Sequence, residues 1–210
     1  MTTSATSFIS EVQTELQDTS ATRWSVAELV AYLNEANLLT VTHRPDTNAV
    51  AHTFAAAAGA LQTIPATAIA LVDVDCNHVT PFAEVTRVAK EQLDSLNLKW
   101  QSMTQVAIAK HYTYDPLTPR VFYVYPPMIA GTELDIMTAD YPALVPSTPS
   151  GNLPLPDWTV PALKAYVKYK AWSKDAEVAG NAALASAAFG LYQTLLGLQL
   201  GAVAAVPAKT

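Results

Sequence analysis

The chain has 210 residues and a net charge of −6, and 50% of its residues are hydrophobic whereas 14% are charged. The hydrophobic content excludes a disordered chain, and the scarcity of charge excludes a solvated coiled coil, since an average soluble domain carries about 25% charged residues. The acid excess argues against a basic DNA-coating protein, and the few charges predict a surface that is either rich in small uncharged side chains or covered by protein contacts.

The first 45 residues predict two amphipathic helices. In residues 6–18, apolar side chains recur at helical spacing from Phe8 to Leu16. Ser25 is a favourable N-cap for the second helix, and an acidic residue follows three positions later, as in a capping box. The apolar pattern continues to about His43, where the phrase Arg-Pro-Asp ends it.

The pattern changes between residues 50 and 145, where short apolar runs are separated by Pro, Gly, Asn and Asp. Such punctuation is typical of short strands and turns. A hairpin turn is predicted just before Arg120, and short helical turns are predicted at 66–73 and 91–98. The predicted strands are 51–57, 60–64, 83–88, 106–113, 120–125 and 132–138.

Residues 141–157 contain five prolines, which predict an extended linker because proline donates no backbone hydrogen bond. Asp157 is expected to cap a helix that begins near 158, and an alanine-rich helix is expected to follow it. The last residues, 197–210, are mostly apolar and carry no capping pattern, so an extended tail is predicted.

These elements predict an α+β fold that is mainly helical. A bundle of about four helices comes from both chain ends, and a β-rich segment is inserted between them. The predicted organisation is one domain over 1–196, made of helical segments 1–45 and 158–196, the β-rich insertion 50–145 and the Pro-rich linker 141–157, followed by a tail over 197–210.

The charges are distributed unevenly along the chain. Residues 1–50 carry six acids and two bases, whereas residues 158–210 carry two acids and five lysines. Two interpretations are open. The acidic front and basic rear attract each other between copies in a head-to-tail contact, which salt would weaken, or the distribution is ordinary scatter.

One segment has the spacing of a calcium-binding loop. Oxygen-bearing side chains stand at positions 1, 3, 5 and 12 of that pattern: Asp73, Asp75, Asn77 and Glu84. His78 stands where the loop needs glycine, so the alternative is a turn into a strand, and the presence of a metal ion near Asp73, Asp75 and Asn77 is left open. Cys76 and His78 supply only two of the four ligands of a structural zinc site. We therefore predict no metal and no cofactor.

No catalytic motif emerges from the sequence. Neither a nucleophile elbow nor a phosphate-binding glycine motif occurs. Acid pairs at helical spacing, Glu11 with Glu15 and Glu28 with Glu35, offer the two carboxylates of a glycosidase, but a helix surface with acids is the ordinary interpretation. We predict a protein that is not an enzyme and has no catalytic residue.

Aromatic residues recur every third position from Tyr166 to Trp172, and lysines are interleaved with them up to Lys174. Two interpretations are open: a platform on which nucleic-acid bases stack, or a helix whose aromatic side packs inward while its lysines reach solvent. The uncharged run 178–208 raises the question of a membrane anchor. It is rich in alanine, however, and a membrane span needs about 20 strongly apolar residues.

Several phrases occur in one order along the chain: LQDTSATRWSVAELVAYLNEA, RPD, AGALQTIPATAIALVDVDCN, YDPLTPRVFYVYPP and YVKYKAWSKDAEVAGNAALASAAF. Together, over about residues 14–196, they resemble the head-to-tail connector, or adaptor, proteins of tailed bacteriophages. Two positions depart from the pattern. Lys170 stands where relatives usually have arginine, and Cys76-Asn77 stands where they tend to have Arg-Asn.

The resemblance implies a structural protein of the virion neck that is assembled in the host cytoplasm. Such adaptors form a homo-oligomeric ring, typically of twelve copies, under the portal protein. They extend the channel through which genomic DNA passes without sequence-specific binding, and they present the surface on which the tail or nozzle protein docks. In related adaptors the C-terminal segment tends to reach the portal. The implied portal-binding residues are Gly197, Leu198, Leu200, Val203 and Val206.

Two other functions remain as alternatives to the adaptor. The first is a phage-encoded cell-wall hydrolase that uses acids such as Glu11, Glu28 or Glu35. The second is a protein held on a membrane by the C-terminal run. A ring subunit buries two different faces against its neighbours, which would account for the few charges of this chain.

Overall fold

The computed structural model describes residues 2–79, 83–175, 177–178 and 180–204, and it describes side chains as far as residue 197. The chain divides into two compact units. The first, called the helical unit, comprises Met1–Thr47 and Pro142–Thr210. The second, called the sheet unit, comprises Asn48–Tyr141.

Helices and strands together form an α+β fold, as the sequence predicts. The α-helices are α1 (Ala5–Glu15), α2 (Val26–His43), α3 (Lys90–Leu96), α4 (Val160–Lys174) and α5 (Asn181–Ala204). The strands are β1 (Ala49–Ala55), β2 (Gly59–Thr63), β3 (Ala68–Asn77), β4 (Ala83–Glu84), β5 (Thr86–Arg87), β6 (His111–Thr113), β7 (Val121–Met128) and β8 (Glu133–Asp140). In the helical unit, α4 packs against α1, α2 and α5. A regular four-helix bundle stays a prediction.

The helix α1 begins at Ser4, whose hydroxyl accepts a backbone hydrogen bond from the first turn at 3.0 Å. Its buried face, from Ala5 to Val12, includes most of the predicted apolar positions. The helix ends in a Schellman motif, in which the N–H groups of Gln17 and Asp18 donate to carbonyls of the last turns. Gln17 has a φ of 57°, a left-handed conformation that glycine adopts at lower cost.

Ser25 caps α2, as predicted, because its hydroxyl accepts the N–H of Glu28 at 3.3 Å. The buried face of α2 includes two polar side chains, Asn37 and Thr40. The helix ends at His43, also as predicted, and a short 3₁₀ turn follows over Pro45–Asn48.

The Pro-rich segment is anchored to the N-terminal residues. Residues 141–156, all of which the structure describes, contain no helix, and Ser4 forms an isolated bridge with Asn152. The prediction that Asp157 caps the next helix is wrong, because Asp157 starts a 3₁₀ turn and Thr159 is the N-cap of α4. The carboxylate of Asp157 accepts the backbone N–H of Thr3 at 2.7 Å. The linker therefore runs back along the start of α1.

The sheet unit contains two four-stranded sheets with the strand orders β1-β8-β3-β4 and β2-β7-β6-β5. Among the described strands, only β5 and β6 pair in parallel. The register of β1 with β8 is unbroken from Ala49 opposite Ala139 to Ala55 opposite Glu133. The apolar core of the unit includes Tyr112, Phe122, Val124, Met128, Leu134 and Ile136.

The prediction of a helical turn at 66–73 is wrong, because this segment lies largely in β3 and pairs with β8. Interruptions of the β3–β8 register break the apolar–polar alternation that would have indicated a strand. The strand predicted at 83–88 is divided, because β4 joins one sheet and β5 the other, so the chain changes sheets at Val85. The helical turn predicted at 91–98 is confirmed as α3, and the other predicted strands are found with shifted ends.

The prediction of an extended tail from 197 onward is wrong for the part that the structure describes, because α5 continues to Ala204. Leucine, alanine and glutamine all favour helix, and Gly197 and Gly201 do not interrupt it. Residues 205–210 lie outside the described residues. This includes the predicted contact residue Val206.

Candidate functional site

The lysines of α4 pair with the acids of α1. The Nζ atom of Lys164 lies 2.5 Å from a carboxylate oxygen of Glu11 and 3.3 Å from one of Glu15. Lys168, one turn further along α4, lies 2.7 Å from Glu15. These contacts join the two ends of the chain within the helical unit.

The same pattern continues between α4 and α2. Lys170 lies 3.1 Å from Glu35, and Lys174 lies 2.8 Å from Glu28. The opposite charges of the chain ends therefore attract each other within one subunit. This pairing accounts for the charge asymmetry without a contact between copies.

The acids considered for hydrolysis are held in these ion pairs. Glu28 also accepts the hydroxyl hydrogen of Tyr32 at 2.8 Å. The hydrogen bond from Lys174 is the main cause that lowers the pKa of Glu28. A general acid at neutral pH needs a raised pKa, so this carboxylate fits a structural role.

The aromatic row of α4 packs inside the helical unit. Tyr166 is buried and donates a hydrogen bond to Glu35 at 2.7 Å. Its ring lies 5.1 Å from that of Tyr192 on α5, and the ring of Tyr169 lies 4.8 Å from that of Phe189. These contacts favour the inward-packed helix over the platform for nucleic-acid bases.

The helix α5 has no charged residue over its 24 residues. One face is buried, at Asn181, Ala185, Ala188, Tyr192 and Leu196. On another face Leu184 is 47% exposed and Leu191 is 48% exposed. The sequence places leucine at 184, 191 and 198, and this seven-residue spacing is typical of contacts between helices.

An open groove of about 360 Å³ runs beside the buried face of α5. Its lining includes Tyr169 and Ser173 of α4 and Phe189 and Gln193 of α5. The groove is uncharged and shallow. Together with the exposed leucines, it gives α5 an uncharged surface.

The predicted portal-binding residues fall at the end of α5. Gly197 lies exposed on the helix, and Leu198, Leu200 and Val203 lie on its last turns, where side chains are not described. Their role as contact residues stays a prediction. Within the described residues, no helix is both long and apolar enough to cross a membrane.

Three of the residues with calcium-loop spacing, Asp73, Asp75 and Asn77, lie in the strand β3, and Glu84 lies in β4. Asp73 accepts a hydrogen bond from the hydroxyl of Tyr112 at 2.5 Å. The amide of Asn77 donates to the carbonyls of Ala83 and Ala109, and its oxygen accepts the N–H of Ala109. An extended strand cannot wrap its side chains around one ion, and the Asn77 side chain is fully used by the backbone of neighbouring segments.

Cys76 and His78 both contact Asp135 on β8. The Sγ atom of Cys76 lies 3.5 Å from a carboxylate oxygen, and Nδ1 of His78 lies 3.0 Å from the other oxygen. The hydrogen bond with Asp135 raises the pKa of His78, and burial raises the pKa of Cys76. In the parts of the chain that the structure describes, no three histidine, cysteine or carboxylate side chains are arranged to hold a metal ion.

A wider groove, of about 780 Å³, lies in the sheet unit. Its cations are Arg87 and Lys90, and its acids are Glu91 and Asp115. The guanidinium of Arg87 lies over the ring of Tyr114 at 5.8 Å. The mixed charges fit a polar surface and do not select one kind of ligand.

Sequence spacing did not predict the role of Arg44. Its side chain is 2% exposed and donates two hydrogen bonds to Asp46, at 2.8 and 2.6 Å. Its guanidinium also lies 5.5 Å from the centre of the Trp158 ring. The phrase Arg-Pro-Asp thus joins the end of α2 to the turn before α4.

Asp18 is a second residue whose role the sequence spacing did not predict. Its carboxylate accepts the backbone N–H groups of Thr22, Arg23 and Trp24 at 2.8–2.9 Å. The hydrogen bond from Trp24 is the main cause that lowers the pKa of Asp18. The indole of Trp24 then donates to the carbonyl of Ala171 in α4 at 3.1 Å, so the Arg-Trp phrase helps to hold α4 in place.

Two side chains from the sequence phrases quoted above form hydrogen bonds with loops of the sheet unit. Gln62 is buried and bonds to both the N–H and the carbonyl of Ala57, at 2.7 and 2.9 Å. Arg120 donates to the carbonyls of Ala68 and Pro65 at 2.7 and 3.3 Å. The residues that carry the resemblance are therefore those that the fold uses to fix its turns.

The sequence matches the family described as SU10 adaptor protein over residues 3–209. The match covers nearly the whole chain. A search of curated proteins finds no match. The matched range includes both units and the described part of α5.

Proposed function

This chain belongs to the SU10 adaptor protein family, and on that basis we propose that it is a structural protein of a phage neck. The family implies a structural protein instead of an enzyme. The single observation that carries the proposal is the match over residues 3–209, which agrees with the resemblance of the sequence to head-to-tail adaptors.

In the proposed function, copies of the chain form a ring of about twelve subunits under the portal, extend the DNA channel and present the docking surface for the tail or nozzle protein. A ring needs a head-to-tail contact that closes by rotation, so each subunit buries two different surfaces. The low charge content of 14% supports this arrangement, because charged residues are depleted in the cores of protein interfaces.

The charges that are present suit a channel for DNA. The chain has a net charge of −6, and Lys164, Lys168, Lys170 and Lys174 are each engaged by acids of the same subunit. A protein that binds DNA tightly neutralises phosphates with free lysines and arginines. An acidic subunit whose α4 lysines are paired would let DNA pass.

The C-terminal residues are the proposed portal contact. The helix α5 is uncharged as far as Ala204, and apolar area hidden on docking contributes about 25 cal/mol per Å². The contact residues are Gly197, Leu198, Leu200, Val203 and Val206.

A binding experiment with the purified portal protein of the same phage tests this function. Wild-type protein and portal are mixed, and the assemblies are counted and measured by negative-stain electron microscopy and native mass spectrometry. We expect rings attached to the portal. A monomer that neither forms rings nor binds the portal would contradict the proposal.

A matched pair of variants tests the tail residues. Leu198→Ser, Leu200→Ser, Val203→Ser and Val206→Ser are combined in one variant, and Gln199→Ser with Ala202→Ser forms the control. We expect the first variant to lose portal binding and the control to retain it, because only the first removes the large apolar side chains of leucine and valine. Equal binding by both would exclude these residues as the contact.

A further inference from the structure

The first strand of the sheet unit leaves one edge open. Among the described strands of its sheet, β1 pairs with β8 alone. Its seven residues, AVAHTFA, include no acid, lysine, arginine, proline or glycine. Open edges are usually guarded by charge, proline, a bulge or short length, because their free N–H and C=O groups pair with other chains. β1 has none of these features.

The other edges of the two sheets are shorter or interrupted. β4 and β5 have two residues each. β2 has five residues, and its register with β7 shifts between Gly59 and Leu61. β1, by contrast, keeps one register with β8 over its whole length. A long unguarded edge is expected where a partner strand covers it.

The hydrogen bonds between β1 and β8 show which backbone groups of β1 face outward. The N–H of Ala56 donates to the carbonyl of Thr132, which precedes β8. Neighbouring residues of an antiparallel strand point in opposite directions, so the even-numbered residues of β1 face β8. The carbonyl of Glu133 faces away from β1, since it accepts the N–H of His78. The outward residues of β1 are Ala49, Ala51, Thr53 and Ala55, all of them exposed.

A second copy of the chain offers a matching edge. In the described part of its sheet β2 pairs with β7 alone, and the N–H of Ile64 donates to the carbonyl just before β7. By the same alternation, Leu61 and Thr63 face outward, and Leu61 is 49% exposed. A strand added to β1 would lie one strand away from Glu133 and Asp135 of β8, which are opposite Ala55 and Thr53. These acids would repel an acidic strand, whereas β2 is uncharged.

We propose that β1 of one subunit pairs with β2 of the next subunit, so that the sheets become continuous across the subunit boundary. This inference rests on the proposed ring. The two edges differ, so each copy uses β1 on one side and β2 on the other, and such a contact closes into a ring when the rotation from one subunit to the next divides a full turn. Pairing of β1 with a second β1 would be two-fold and would stop at a dimer.

The variant Ala51→Pro tests the pairing. Proline removes one outward N–H of β1 and leaves the hydrogen bonds to β8, and edge strands tolerate proline at such positions. Ala51→Val is the control, because valine keeps the N–H and favours strands. Ring formation with and without portal is measured by negative-stain electron microscopy, and folding by circular dichroism.

We expect Ala51→Pro to weaken ring formation by at least about tenfold and Ala51→Val to form rings like the wild type. Rings formed equally by both variants would overturn the pairing and leave the proposed function intact. Failure of the wild-type protein to form rings, even with portal, would overturn both proposals.

Cross-linking tests the same contact without the proline variant. Ala51→Cys and Leu61→Cys are combined in a Cys76→Ser background, and the protein is treated with a short bis-maleimide under conditions in which rings form. We expect a ladder of covalent multimers on a denaturing gel, whereas Ala51→Cys alone gives none. Dimers from Ala51→Cys alone, or rings that give no ladder, would overturn the pairing of β1 with β2.

Discussion

The interactions that stabilise the helical unit internally differ from those that stabilise the sheet unit. The helical unit joins two ends of the chain, and its long-range contacts include charged and polar pairs such as Lys174 with Glu28, 146 positions apart. The sheet unit is one continuous segment, and backbone ladders enclose its apolar core. Side-chain ion pairs and hydrogen bonds therefore link distant segments of the first unit, and main-chain hydrogen bonds between strands link those of the second.

This difference affects what each unit can offer to a partner. In the helical unit the lysines of α4 are already paired with acids, and α5 is uncharged and exposes Leu184 and Leu191. In the sheet unit β1 and β2 each form one edge of a described sheet, and their outward N–H and C=O groups have no neighbouring strand there. We expect apolar docking from the first unit and backbone pairing from the second, and the following predictions test the interactions on which that comparison depends.

The largest effect is expected in the core of the sheet unit. Phe122 on β7 is fully buried, so Phe122→Ala should lower the free energy of unfolding by about 3–5 kcal/mol, through lost apolar burial and a cavity. Urea unfolding measures the change. Leu117→Ala, at an 89% exposed turn position, is the control and should change it by less than about 0.5 kcal/mol. A small loss at Phe122 would contradict a tightly packed core.

The next effect is expected at Asp18 in the helical unit. Asp18→Asn replaces a carboxylate that accepts three backbone N–H groups, so it should lower stability at pH 7. Because folding lowers the pKa of Asp18, the wild-type carboxylate stabilises the fold above its unfolded pKa of about 3.9. That stability is lost as the pH falls from there toward the folded pKa.

The free energy of unfolding should therefore fall less steeply below about pH 4 in Asp18→Asn than in the wild type. Urea unfolding between pH 7 and pH 2.5 measures both curves. Parallel curves for the two proteins would show that the carboxylate is not held by the Trp24 turn.

A smaller effect of the opposite sign is expected at the end of α1. Gln17 adopts a left-handed conformation that favours glycine, so Gln17→Gly should raise stability by about 0.5–1 kcal/mol. Gln13→Gly, inside the helix, is the matched control and should lower it by about 1 kcal/mol. Loss of stability in both variants would contradict the Schellman motif.

The smallest effect is expected from a single surface ion pair. Lys174→Ala should cost about 0.2–1 kcal/mol at low salt, because both partners keep contact with solvent. High salt should reduce the difference from the wild type by screening. Thermal unfolding with and without 1 M sodium chloride checks this, with the exposed Lys99→Ala as control. A salt-independent loss would indicate packing of the lysine stem instead of charge.

The local elements could be predicted because their signals are local. Ser25 and the apolar spacing after it place α2 correctly, and the prolines of 141–157 indicate a segment without helix. The same reasoning missed β3, most of whose length pairs with the distant strand β8. It also missed that α5 continues past Gly197, because a tail without a capping pattern looks like an extended one.

For the candidate site, the sequence could indicate that the chain is poor in charge and that its C-terminal run is uncharged. The resemblance could place the chain among adaptors, which the family match confirms. Neither could show that Lys164 and Lys168 pair with acids of their own subunit. Neither could show that β1 forms a sheet edge.

The sequence by itself determined the α+β class, the Ser25 cap of α2 and the family, because these depend on composition and on short runs of residues. The tertiary structure alone decided which charges are neutralised within the subunit and which strand edges stay open. Both outcomes depend on which distant segments meet. Hydrogen bonds and ion pairs between two segments do not produce a periodic pattern in the sequence of either segment.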